Sequence, residues 1–194
     1  MKLPIILLIV FQLARASTNY RCTQLQNTVQ NQHVSLETPL QVGDEIVLEG
    51  IFSKNADKFT FHLYEGSQPG GSISLRITNR NGQSTEYNSF ENGVWGKPIF
   101  GSQLAATGQT FMFTIRVHPY YYEILRRDQP TVIFPYQVKA TKVQAIGIEN
   151  IEFRSITKCF PEFMGKRTNE KEQILIGLGM VQVLYDDPRL VNRG

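Results

Sequence analysis

Residues 58–66 alternate apolar and polar positions: Phe59, Phe61 and Leu63 against Thr60, His62 and Tyr64. Successive side chains of a strand point to opposite faces, so this period of two predicts a half-buried strand. Residues 71–78 repeat it, with Ile73, Leu75 and Ile77 on one face and Ser74, Arg76 and Thr78 on the other. The run "NRNGQ" then supplies an Asn-Gly turn, and "STEYNS" reads as the returning strand. Further on, Phe111, Phe113, Ile115 and Val117 mark one face of another strand. The runs "EIVLEGIF", "YYYEILRRDQP", "TVIFPYQ", "VQAIGIEN" and "IEFRSI" continue the series. No helical period occurs before Cys159. Many short strands separated by turn signals predict an all-β fold, an antiparallel sandwich or barrel.

The two ends read differently. The opening "MKLPIILLIVFQLARAS" has Lys2, an apolar run from Leu3 to Phe11, and then Ala14-Arg15-Ala16. That order predicts a secretory signal peptide over 1–16, cut after Ala16. The apolar run falls short of the roughly 20 residues a spanning helix needs. Residues 17–33 form a polar, Gln- and Asn-rich leader or loose first strand. The domain itself is expected over 34–159. Residues 160–194 form a C-terminal extension, in which a charged run precedes the apolar "ILIGLGMVQVLY". This last stretch is too short for a membrane span.

Composition narrows the function. Removing Lys2 and Arg15 with the signal leaves 18 basic residues against 17 acidic ones. A nearly neutral chain without a basic stripe gives nucleic acid no electrostatic footing. His33, His62 and His118 are scattered without metal spacing, so neither metal nor cofactor is expected. His62, on the polar side of its strand, reads as a surface residue. Export makes the two cysteines informative. In an oxidising compartment Cys22 and Cys159, which bracket the domain, are expected to form a disulfide. Two separate buried thiols are the alternative. The sequence holds no Asn-x-Ser/Thr acceptor for glycosylation.

The single tryptophan stands in "NSFENGVWGKPIF", among small, polar, turn-forming residues. From about residue 38 to 156 the chain resembles a galectin carbohydrate-recognition domain. The resemblance rests on "PLQVGDEIVLEGIF", "DKFTFHLYEG", "SISLRIT", "EYNSFENGVWG", "GQTFMFTIRV", "YYYEIL" and "VQAIGIENIEFRSI", in that order. It implies a jelly-roll sandwich of two antiparallel sheets with a sugar on the concave face of one. The family carries His-x-Asn-Pro-Arg on one strand, Asn on the next, and Trp-Gly-x-Glu-x-Arg after it. Here Arg80, Asn88 and Trp95-Gly96 match. Arg76 stands where His is usual, Thr78 where Asn is usual and Asn79 where Pro is usual. Pro98 and Phe100 stand where the Glu and the second Arg are usual.

The chemistry of these residues suits a sugar. An indole buries the C–H face of a galactose ring. Arg76, Thr78 and Arg80 alternate on one strand face and offer hydrogen bonds to hydroxyls, and Asn88 both donates and accepts. Proline at 98 can neither hold an arginine nor accept from a second sugar. Glu86 and Glu91 are the candidates to replace the missing carboxylate. The resulting expectation is a secreted, extracellular lectin that binds β-galactoside or related glycans non-covalently, with no membrane span. A homodimer is left open. The alternative is a protein-interaction or structural domain on the same fold that has lost galactoside binding. An enzyme acting on sugars is not expected, because the face offers no pair of opposed carboxylates.

Overall fold

A computed structural model describes residues 20–25, 33–67, 70–127, 129–138 and 140–161. The expected signal peptide, the rest of the leader, and the charged and apolar runs of the C-terminal extension lie outside the described residues. Among those described, thirteen strands form two antiparallel sheets. They are β1 (Tyr20–Gln24), β2 (His33–Ser35), β3 (Glu45–Phe52), β4 (Lys58–Glu65), β5 (Ile73–Arg80), β6 (Thr85–Glu91) and β7 (Val94–Trp95). Then come β8 (Ile99–Gly101), β9 (Thr110–Val117), β10 (Tyr121–Arg126), β11 (Val132–Pro135), β12 (Val143–Glu149) and β13 (Ile151–Pro161). The first sheet runs β1-β13-β3-β9-β10-β11. The second runs β2-β12-β4-β5-β6-β7, with β8 also paired to β6. One short 3-10 turn, Ala140–Lys142, precedes β12. The expected all-β, two-sheet antiparallel sandwich is what forms.

The alternating apolar positions meet between the sheets. Phe59, Phe61 and Leu63 of β4 are fully buried, as are Leu75 and Ile77 of β5. Opposite them lie Ile46, Leu48 and Phe52 of β3 and Phe111, Phe113 and Ile115 of β9. Phenylalanines join the sheets directly. Phe59 stacks on Phe111 with ring centroids 4.7 Å apart, and meets Phe52 edge-on at 5.1 Å. Phe61 meets Phe113 edge-on at 5.5 Å. Burying each such ring stabilises the fold by about 1.5–3 kcal/mol.

Ser74 departs from the simple alternation. The pairing of β5 with β6 shifts between Ile73 and Arg76. This turns Ser74 inward, where Oγ contacts the Tyr122 hydroxyl at 2.7 Å and donates to the Val138 carbonyl at 2.7 Å. From Arg76 onward the outward set expected from the sequence is kept. β12 and β13 are consecutive yet lie in different sheets. Between them Asn150 takes a φ of 58°, a left-handed conformation that asparagine adopts more readily than most residues.

The first and last described strands pair at one edge, with Cys22 directly opposite Cys159. Their side chains form a disulfide, with Cα atoms 4.0 Å apart. It closes a loop of 137 positions, for which chain entropy alone gives about 5 kcal/mol. The Cys22→Ser/Cys159→Ser double variant is therefore expected to lose about 2–5 kcal/mol, read from the midpoint of denaturant unfolding. Two thiols titrating in folded wild-type protein would contradict the bridge.

Candidate functional site

The outer face of the second sheet is built from the polar half of the alternation. Register sets its residues in rows across the strands. Gly147, His62, Arg76 and Asn88 lie side by side on β12, β4, β5 and β6. The next row is Glu149, Thr60, Thr78 and Glu86. Beyond it Lys58 faces Arg80. At the other end Trp95 of β7 pairs with Phe90 of β6, their rings 4.9 Å apart.

Trp95 reaches this position through a tight hairpin. Asn92 and Gly93 have φ of 52° and 81°, the two positive values that a two-residue hairpin turn requires. The chain after Trp95 is then fastened. The Gly96 amide donates to the Ser89 carbonyl at 2.9 Å. Gln137 Oε1 accepts from Ser89 Oγ at 2.7 Å, and its Nε2 donates to the Lys97 carbonyl at 3.4 Å. A Cβ on residue 96 would sit 1.6 Å from Gln137 Oε1, so any larger residue there would displace the Gln137 side chain from this contact. Trp95 keeps 42 % of its surface exposed and is reachable from solvent.

Arg76 is the hub of the face. Its Nη2 donates to Glu86 Oε1 at 2.9 Å, and its guanidinium carbon lies 3.7 Å from the centroid of the Trp95 ring. Asn88 Nδ2 reaches the same Glu86 oxygen at 3.4 Å, while Asn88 Oδ1 accepts from the Ser89 amide at 2.8 Å. Glu86 thus holds Arg76, the arginine that stands where the family has His. Pro98 and Phe100 are both exposed and make neither interaction. Glu91 is exposed at the far end of β6.

His62 is not the surface residue that its polar position implied. It is only 7 % exposed. Tyr64 stacks beside it at 5.2 Å. A Cβ on Gly147 would lie 2.6 Å from the Tyr64 ring, so Tyr64 covers the glycine backbone and closes over that side of His62. Burial, reinforced by Arg76 and Lys58 and opposed by Glu149, lowers the His62 pKa to about 4. The imidazole is neutral at pH 7 and able to accept a hydrogen bond.

Among the described residues, three buried side-chain polar atoms have no protein partner: His62 Nδ1, Arg76 Nε and Thr78 Oγ1. They belong to two paired strands. His62 is directly opposite Arg76, and Thr78 is two positions further on the same face. A buried polar atom left without a partner costs about 1–3 kcal/mol, and these three lie just beneath the polar face. Of the residues singled out from sequence, Arg76, Thr78, Asn88 and Trp95 come together here. Arg80 lies one row further along β5, exposed. Asn79 faces the core instead, where Nδ2 donates to the Ala105 carbonyl at 2.8 Å and Oδ1 accepts from Thr85 and Leu104. Among the described residues no group of three His, Cys, Asp or Glu could hold a metal ion. No helix there is long and apolar enough to cross a membrane.

The family model described as galactoside-binding lectin matches residues 31–157. The chain belongs to the galectin family. Solved galectins share its fold. A doubly substituted human galectin-16 superposes with a TM-score of 0.62 at 18 % identity, over 68 % of this chain and 96 % of its own. Sheep galectin-11, solved in complex with glycerol, gives 0.60 at 18 % identity over 68 % and 99 %. The Caenorhabditis elegans galectin LEC-6 gives 0.60 at 14 % identity over 68 % and 92 %. A search among curated proteins finds no match. Of the two candidates for the missing carboxylate, Glu86 and Glu91, the register puts Glu86 on Arg76. Gln137 and the buried state of His62 carried no local signal.

The depressed His62 pKa has a definite consequence for stability. The unfolded chain takes up a proton near pH 6.5, whereas the folded one does so only near 4. Stability is therefore full above 6.5 and is lost as pH falls through that window, by at most about 3 kcal/mol. Thermal unfolding of wild type and His62→Gln from pH 7 to 4 is expected to show a steeper fall for wild type. Parallel curves would contradict a buried, neutral His62.

Proposed function

We propose that this galectin binds a glycan on the outer face of the second sheet. One sugar ring lies against Trp95, and its hydroxyls meet His62, Arg76, Thr78 and Asn88. The observation that carries this reading is the cluster of three unpartnered atoms beside the chain's only tryptophan. Neutral imidazole nitrogen accepts, guanidinium N–H donates, and the Thr78 hydroxyl does either, a set suited to the adjacent hydroxyls of a saccharide. The matched Arg80, Asn88 and Trp95 support a β-galactoside or a related glycan. The signal-like N-terminus together with the Cys22–Cys159 disulfide supports secretion and extracellular glycoconjugates as partners.

Binding here is non-covalent. The family consists of lectins, and the carboxylates of the central row do not form a hydrolytic pair. Glu86 is bonded to Arg76, and Glu149 accepts from Thr60 Oγ1 at 2.7 Å. Three strand spacings separate their backbones by about 14 Å.

One observation favours the second reading, an interaction domain without galactoside binding. The Arg76 guanidinium already covers the Trp95 ring at 3.7 Å, where a sugar would stack. A cation–π contact at a partly exposed site contributes about 0.5–1 kcal/mol. A ligand that displaces it loses only about two- to fivefold in affinity. A glycan array of the mature protein beside Trp95→Ala tests the reading. Galactosides bound by wild type and lost by the variant, at least tenfold, are the expected result. Binding of no glycan that depends on Trp95 in folded protein would favour the interaction domain.

A further inference from the structure

The first described strand is held differently from the rest of its sheet. β1 is an edge of the first sheet, and among the described residues it pairs only with β13. Tyr20 is half-buried and the other four residues of β1 are exposed. β3 and β9 of the same sheet bury every second residue instead. Four things fasten β1. At its start Tyr20 meets Glu45 and Arg116. Along it run the ladder bonds to β13. Just past its end Leu25 packs against the core, and its amide donates to the Ile156 carbonyl at 2.9 Å. The fourth is the disulfide of Cys22 with Cys159. Exposed ladder bonds return little net free energy, while ordering each residue costs conformational entropy. The bridge is therefore what keeps β1 on the sheet.

That bridge is open to attack from one side. Cys22 is exposed, whereas Cys159 keeps only 5 % of its surface. Exposed disulfides are the labile ones, because exchange begins with a thiolate reaching one sulfur. We infer that Cys22–Cys159 is a redox latch, through which a dithiol reductant detaches β1 from the sandwich without unfolding it. One thiolate of the reductant attacks Cys22 Sγ, the bond between the two sulfurs breaks, and Cys159 leaves and takes a proton. The second thiol of the reductant then closes its own disulfide and releases Cys22 as a thiol. Two electrons pass from the reductant to the bridge. Detachment opens a cleft of about 380 Å³ that lies between β1 and β13 on one side and β2 on the other. Thr23, Gln24 and Leu25 leave its wall, and Val34, Leu36 and Phe160 are uncovered. The sandwich survives because its phenylalanine contacts join β3, β4 and β9, none of which pairs with β1.

Hydrogen exchange of the mature protein, before and after treatment with dithiothreitol and blocking of the thiols, tests it. Exchange of the β1 amides is expected to quicken about hundredfold or more on reduction, while β3, β4 and β9 stay protected. The Cys22→Ser/Cys159→Ser variant is expected to show the same pattern without reductant. Trp95 belongs to the other sheet, and its emission is expected to keep its folded maximum in both proteins. Protection of β1 that persists in the reduced protein and in the variant would overturn the latch, since the strand would then hold without it. Loss of protection in all strands together, with Trp95 emission moving to its unfolded value, would overturn it as well, by showing a bridge that staples the whole domain. So would a bridge that dithiothreitol leaves intact in the folded protein.

Discussion

The register of β4, β5 and β6 is the constraint on which the site depends. Side chains alternate with a period of two, so a slip of one residue would exchange the two faces of a strand. The phenylalanine contacts between the sheets forbid that exchange. With Phe59 stacked on Phe111 and Phe61 against Phe113, Thr60 and His62 must face outward. With Leu75 and Ile77 buried beside them, Arg76, Thr78 and Arg80 must do the same. The hydrophobic core therefore positions the polar face, and the three unpartnered atoms of that face are held in place by packing beneath them.

On this scaffold a carboxylate within β6 holds an arginine that stands where the family has His. The family pattern sets its carboxylate two residues after Trp-Gly, where this chain has Pro98. Glu86 supplies the charge from within a paired strand, whose backbone is fixed by β5 on one side and β8 on the other. The arginine held this way is Arg76, and it lies over Trp95. Indole and polar contacts are thus coupled through one guanidinium. A ligand that takes Arg76 Nε as a donor also changes how much of the indole is open to its ring.

Much of this architecture was legible from residue pattern. The strand faces of β4 and β9 followed from alternation alone, and the order of motifs identified the family and the two-sheet fold. Trp95 was legible as an exposed residue through its match to Trp-Gly; it stands on the short strand β7 rather than on a loop, delivered by Asn92-Gly93, itself a readable hairpin signal. What stayed hidden depends on contacts between distant segments. Ser74 turns inward because the β5–β6 pairing shifts, and no local pattern announces the shift. His62 is buried because Tyr64 lies over Gly147, some 80 positions away in sequence. Gln137 clamps the chain after Trp95 from a separate loop, 40 positions beyond Lys97. Glu86 was identifiable as a candidate, but its partner required the register of β6 against β5.

Trp95 is the chain's only tryptophan, so its emission reports on this face and nowhere else. The most direct measurement is a titration of that emission with lactose in the mature protein. A saturable change in intensity and a shift to shorter wavelength, as a ring covers the indole, is the result this account predicts. Emission unchanged up to high millimolar lactose and with every glycan that the protein retains would contradict a sugar platform at Trp95.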